Sequence, residues 1–179
     1  ALALQVGHRR SVDLDFFLPQ KKFSSRQLIS QLPDDLWQGD IVTDDTIYGK
    51  LCKAKISFIA YPFFHPQQPY HWFGHVRILD LRDIAVMKII AISQRGRKRD
   101  FVDLFWYLQH QEALRDILLR LPKQYPNVAH DYNHILKSLV YFVDAEPDPM
   151  PSLYFSATWS EVKLYLQREV DRVAKQLVL

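Results

Sequence analysis

Asp13 and Asp15 stand two residues apart in the stretch GHRRSVDLDFF, residues 7–17. Alternation from Ser11 onward reads as a β-strand, with Val12, Leu14, Phe16 and Leu18 on one buried face. Ser11, Asp13, Asp15 and Phe17 then share the other face, because strand side chains alternate with period two. The two carboxylates lie about 7 Å apart along such a strand. Anions that close need screening water or a cation between them. A solvated strand edge is one account, since acids there discourage sheet-to-sheet association. The preceding Gly7, Arg9, Arg10 and Ser11 supply a second account. Paired carboxylates bind Mg²⁺, while guanidinium and hydroxyl groups contact phosphate oxygens.

Two later stretches carry further chemistry. In IAVMKIIAI, Ile84–Ile92, eight of nine residues are apolar, so the predicted helix is buried nearly all round. Its one Lys, Lys88, must either extend its stem to water or sit desolvated beside an anion. In SQRGRKRDFVDLFWYL, residues 93–108, a basic cluster of Arg95, Arg97, Lys98 and Arg99 precedes Asp100 and Asp103. The acids have i, i+3 spacing, which places them on one helix face. The cluster fits an exposed turn with helix-opening acids, and it fits equally a site for triphosphate or an RNA backbone.

Other polar residues say less. His130 and His134 have the i, i+4 spacing of a zinc-protease helix, but Asp131 stands where the Glu base belongs and no third ligand is evident. His65, His71 and His75 lie in an aromatic loop and read as packing or surface groups. Cys52 is the only cysteine, which excludes an internal disulfide framework and fits a reducing compartment. The net charge of +3 is too small to demand nucleic acid on its own. No apolar run reaches the roughly 20 residues a bilayer span needs, so a soluble, cytoplasmic protein without membrane contact is expected.

The elements that must position these groups follow from pattern. ALALQ at the start is made of helix formers with no cap before it, which suggests that the chain opens inside an element and is short at its N-terminus. After the first strand, SSRQLISQL, residues 24–32, reads as a short helix capped by a Ser. Residues 40–62 alternate as strands, with Gly49 read as a bend or hairpin. Residues 63–74 read as an ordered loop and 76–83 as a short strand leading to a helix start at Asp80 or Asp83. Helices are predicted over 83–93, 101–121 and 128–143, and Thr158-Trp-Ser-Glu161 is a capping box opening a last one. The expectation is an α+β fold. A small mixed sheet occupies residues 1–82, and a helical region, residues 83–179, packs on it as one compact unit.

GHRRSVDLDFF, the later DLRDIAVMKIIAISQRGRKRDFVDLFWYL, and YFVDAEPDPMPSL together resemble the AbiEii/AbiGii-type nucleotidyltransferases, whose founding members are toxins of abortive-infection, type IV toxin–antitoxin systems. The R-x-S-x-D-x-D and R-D-x-x-D patterns carry the likeness in combination. The resemblance implies a polymerase-β-like fold of small mixed sheet plus helices. It implies catalytic roles for Asp13, Asp15, Lys88 and Asp100, with Asp13 and Asp15 as the metal-binding carboxylates. Arg9, Ser11, Arg95 and Asp103 would line the substrate.

The implied cofactor is Mg²⁺ or Mn²⁺, the implied substrate an NTP, the acceptor an RNA such as tRNA, and the further partner an antitoxin protein. Related enzymes place a third carboxylate on a neighbouring strand, where this sequence carries Ser57. Two other readings fit the same residues: an inactive family member acting as a binding protein, and a basic RNA-binding domain without chemistry.

Overall fold

The computed structural model describes residues 1–177. The chain divides into two units, one formed by Ser11–His65 with Ala1, the other by Leu2–Arg10 together with the residues from Pro66 onward.

In the first unit four strands form one mixed sheet: β1 (Asp13–Leu18), β2 (Trp37–Val42), β3 (Thr46–Leu51) and β4 (Ala54–Ala60), in the order β1-β4-β3-β2. β1 runs parallel to β4, and β2–β3 and β3–β4 are antiparallel. The expected alternation is present, but the expected burial of its apolar face is not. Val12 precedes the strand and is exposed, as is Leu14 near its start, whereas Phe16 and Leu18 further along the same face are half-buried. Phe16 is held by stacking on Phe58 of β4, with ring centroids 5.2 Å apart.

The helix α1 (Leu2–Val6) belongs to the second unit, whereas α2 (Ser25–Ile29) in the first is capped by Ser24 as its sequence requires. Gly49 proves to be no bend. It lies inside β3, where a Cβ would come within 2.4 Å of the Trp37 ring and 2.5 Å of the Gln38 carbonyl oxygen. The β3–β4 connection falls instead at Cys52 and Lys53, both at positive φ.

The second unit begins with α1, ends that helix at Gly7 (φ 62°), and then runs residues 8–10 alongside 152–154. Arg9 and Leu153 form an antiparallel bridge, flanked by bonds from Arg10 N–H to the Ser152 carbonyl and from Tyr154 N–H to the His8 carbonyl. The predicted loop at 63–74 contains a strand, β5 (His71–Phe73), which pairs with β6 (Val76–Ile78) in a hairpin.

The helices α3 (Leu81–Arg95), α4 (Lys98–His110), α5 (Leu114–Gln124), α6 (Tyr132–Ser138) and α7 (Trp159–Leu177) follow, with one 3-10 turn at Val143–Ala145. Asp80 caps α3 by accepting from Arg82 N–H, as its position before the apolar run predicts. The helix expected over 101–121 is two helices. Its break follows His110, where Glu112 accepts from the Tyr107 hydroxyl at 2.6 Å and from Arg120. The helix expected over 128–143 shrinks to α6, opened by Asp131.

The capping box of α7 forms as read, with Thr158 and Glu161 exchanging bonds to each other's N–H. Val162, Leu166, Val170 and Val173 form its buried stripe. Burying each such side chain contributes about 1.5–3 kcal/mol. Among the described residues no helix is long and apolar enough to cross a membrane.

Candidate active site

In the first unit the acidic face of β1 meets a hydroxyl. The β1–β4 register sets Asp13 beside Lys55 and Asp15 beside Ser57. Paired positions in neighbouring strands point to the same side, so Asp13, Asp15, Ser57 and, from the β3 register, Tyr48 share a face. The buried Ser57 hydroxyl donates to Asp15 Oδ1 at 2.5 Å. Asp15 itself is exposed and Asp13 is half-buried. Ser57, at the position where a third carboxylate was sought, therefore orients the second one. Ser11, just before the strand, is exposed.

Two carboxylates and a hydroxyl are all-oxygen donors, the hard set that suits Mg²⁺ or Mn²⁺. Mg²⁺ characteristically takes one or two protein carboxylates and completes its shell with water and substrate phosphates. The acidic face of β1 fits that requirement. No group of three or more His, Cys, Asp or Glu side chains able to hold a metal occurs among the described residues.

In the second unit Lys88, Asp100, Asp103, Arg9 and an unforeseen fifth residue, His8, form one network. Gly96 (φ 45°) ends α3 with its N–H on the Ile92 carbonyl, and α4 starts two residues later. That tight turn brings the middle of α3 beside the first turns of α4. Lys88 Nζ then donates to Asp100 Oδ1 at 2.6 Å and lies 2.7 Å from Asp103 Oδ2. The sequence left two fates for this Lys, and the structure selects the anion.

Asp103, 1% exposed at its side chain, also receives Arg9 Nε at 2.5 Å on Oδ1, the Arg9 terminal nitrogen at 2.9 Å on Oδ2, and His8 Nε2 at 2.7 Å. Burial alone would raise the Asp103 carboxyl, but the Lys88 charge and the Arg9 and His8 bonds outweigh it and hold it far below the usual carboxylate range. Burial likewise opposes the Lys88 charge, and Asp103 and Asp100 hold its ammonium above the usual range.

His8 is 2% exposed, and its ring lies 5.3 Å from that of Trp106. The signal that points to it is its place next to Arg9, three residues before Ser11 in the same motif. Arg9, expected at the triphosphate, has its Nε and one terminal nitrogen committed to Asp103 and the other on the Arg10 carbonyl. Asp100 differs from Asp103 in keeping one buried oxygen, Oδ2, without a hydrogen-bond partner. Arg95, largely exposed, approaches that oxygen to 4.0 Å.

The basic cluster, by contrast, does not form a continuous patch. Arg97 pairs with Asp148, while Lys98 is buried on the carbonyls of Glu146 and Asp148 and over the Trp159 ring.

Comparison with known proteins bears on the family and the fold. The family described as nucleotidyl transferase AbiEii toxin, type IV TA system, matches residues 52–174. The protein aq_aa25 of Aquifex aeolicus (strain VF5), itself uncharacterized, is 36% identical over 178 residues, covering 95% of this chain and 82% of that protein. A crystal structure of a candidate nucleotidyltransferase from H. pylori superposes with a TM-score of 0.53 at 19% identity, over 98% of this chain and 84% of that one, a likeness of fold.

Proposed function

The chain belongs to the AbiEii family of nucleotidyltransferase toxins and is a nucleotidyltransferase, and from that premise we propose that it moves a nucleotidyl group from an NTP to an RNA hydroxyl with the help of Mg²⁺ or Mn²⁺. The observation that carries this reading is Asp15, exposed on β1, sharing a face with Asp13 and oriented by Ser57. Asp13 and Asp15 hold the divalent cation, which when bound neutralises triphosphate charge and polarises the oxygens that react. Ser57 fixes the Asp15 carboxylate so that one oxygen stays turned outward.

In the helical unit the residues divide by their bonds. Arg9 and His8 act through Asp103, and Asp103 with Asp100 keeps the Lys88 ammonium charged and in place. Arg95, with its exposed guanidinium, is the group of this cluster that meets phosphate. Asp100 Oδ2, buried and without a hydrogen-bond partner, draws the Arg95 guanidinium to 4.0 Å and so sets where that group stands. A cognate antitoxin protein is the partner that membership of a type IV system implies.

Incubation of the whole chain with labelled NTPs and tRNA tests the reading. Label is expected on the RNA in the presence of Mg²⁺ or Mn²⁺, none after chelation, and about 10³-fold less with Asp13→Asn or Asp15→Asn. Transfer undiminished in both variants would sink the assignment.

A further inference from the structure

The β5–β6 hairpin exposes more aromatic surface than any packing role explains. Tyr70, Trp72 and Phe73 are exposed within four residues, Trp72 and Phe73 each at 66%. The register pairs Trp72 with Arg77, and strand alternation sets Tyr70 on the same face as both. The Arg77 guanidinium lies 5.1 Å over the Tyr70 ring. This face therefore carries two aromatic rings, about 7 Å apart along the strand, with the guanidinium of the residue opposite Trp72 lying over the Tyr70 ring.

Charge identifies what would cover it. From Phe63 to Leu79 the chain has no Asp or Glu, while it carries Arg77 and three histidines. The first acid beyond, Asp80, is engaged by the Arg82 N–H and by His71. A strip of π-faces with a lone positive charge and no carboxylate is complementary to a polyanion that itself carries aromatic faces. Single-stranded nucleic acid is such a polymer, bound sequence-tolerantly by stacking bases on aromatic side chains and pairing phosphates with Arg. A lipid surface calls for several basic residues alongside apolar ones, which this face lacks.

We infer that the β5–β6 hairpin is a docking platform for an unpaired RNA segment, with bases stacking on Trp72 and Tyr70 and Arg77 on the intervening phosphate. The inference rests on the reading of RNA as acceptor.

Anisotropy of a fluorescein-labelled oligouridylate of about twelve nucleotides, titrated with the whole chain without nucleotide or metal, tests the hairpin separately from Asp13 and Asp15. Trp72→Ala is expected to weaken binding at least about fivefold, and Arg77→Ala to lower the slope of log affinity against log salt by about 0.7. Trp72→Phe, which keeps a stacking face, should stay within about threefold of wild type. A blunt RNA duplex of equal length should bind more weakly, because its bases are hidden.

No binding by wild type, unchanged affinity in Trp72→Ala and Arg77→Ala, equal losses in Trp72→Phe and Trp72→Ala, or equal binding of the duplex would each overturn the inference. Trp72-dependent binding of phosphatidylserine vesicles with oligouridylate unaffected would overturn it in favour of a membrane. Trp72-dependent RNA binding by a chain that transfers no label would uphold the platform and remove the transfer reading alone.

Discussion

The molecule contains two pairs of aspartates that sequence alone makes look alike, and their surroundings differ in almost every respect. Asp13 and Asp15 alternate along an edge strand, and Asp15 faces water with a hydroxyl as its neighbour. Asp100 and Asp103 sit one helical turn apart in α4, each 1% exposed or less, and bind cations the chain itself supplies. On the function proposed above, the first pair takes a cation from solution. In the second, Asp103 is already neutralised by Lys88 and Arg9, and only Asp100 Oδ2 is left open. The same side chain thus stands exposed beside a hydroxyl in one place and acts as an internal counter-ion in the other, and burial together with nearby positive charge sets the difference.

Substitutions should separate the two pairs. The largest effect is expected from Asp103→Asn, which leaves Arg9 and Lys88 with one less counter-charge in a buried setting. Breaking such a pair costs about 3–5 kcal/mol, read as a fall in urea midpoint. The same network sets a pH signature. The folded carboxyl of Asp103 lies below its unfolded value of about 3.9, so its contribution is complete above about pH 5 and is lost as pH falls below about 4. The folded ammonium of Lys88 lies above its unfolded value of about 10.4, so its contribution is complete below that pH and is lost as pH rises beyond it. A plot of stability against pH should be flat between these limits, and its acid limb should flatten in Asp103→Asn.

Asp15→Asn should do the reverse, lowering label transfer about 10³-fold while its stability stays within about 0.5 kcal/mol of wild type. A large loss of stability there would remove the contrast. Ser57→Ala should cost about 1 kcal/mol, with a weaker dependence on divalent metal as its kinetic companion. Arg95→Ala is expected to change stability least, within about 0.5 kcal/mol, because its side chain is 59% exposed. Its proposed phosphate contact predicts a several-fold rise in KM for the nucleotide, measured by steady-state label transfer.

Features governed by near neighbours were legible before any coordinates. The capping box at Thr158–Glu161, the cap of α2 and, as one of two starts offered, the Asp80 cap of α3 depend on bonds within a few residues. Lys88 was legible as a problem, a charge in an apolar helix, but its solution required knowing which face of α4 it would meet. What failed was decided at a distance. Gly49 looked like a bend and is a strand residue because the Trp37 ring packs where its side chain would go. The turn at Cys52–Lys53 has positive φ without a Gly or Asn to announce it. The break after His110 has no Gly or Pro either, and follows from Glu112 being drawn to Arg120 and Tyr107. His8 was overlooked because a single histidine in a basic run carries no periodicity; only the burial of Asp103 reveals it.

The bridge between Arg9 and Leu153 carries a consequence for the order in which the protein is made. His8 and Arg9 leave the ribosome well before the backbone that holds their segment, which lies more than a hundred residues later. A nascent chain interrupted before Leu153 has no strand to seat that segment, and one interrupted before Asp103 has no carboxylate to receive it. Non-local closures of this kind come late in folding. The charged network of the helical unit is therefore finished only after Leu153 has been made, and a chain stopped short of that point lacks it.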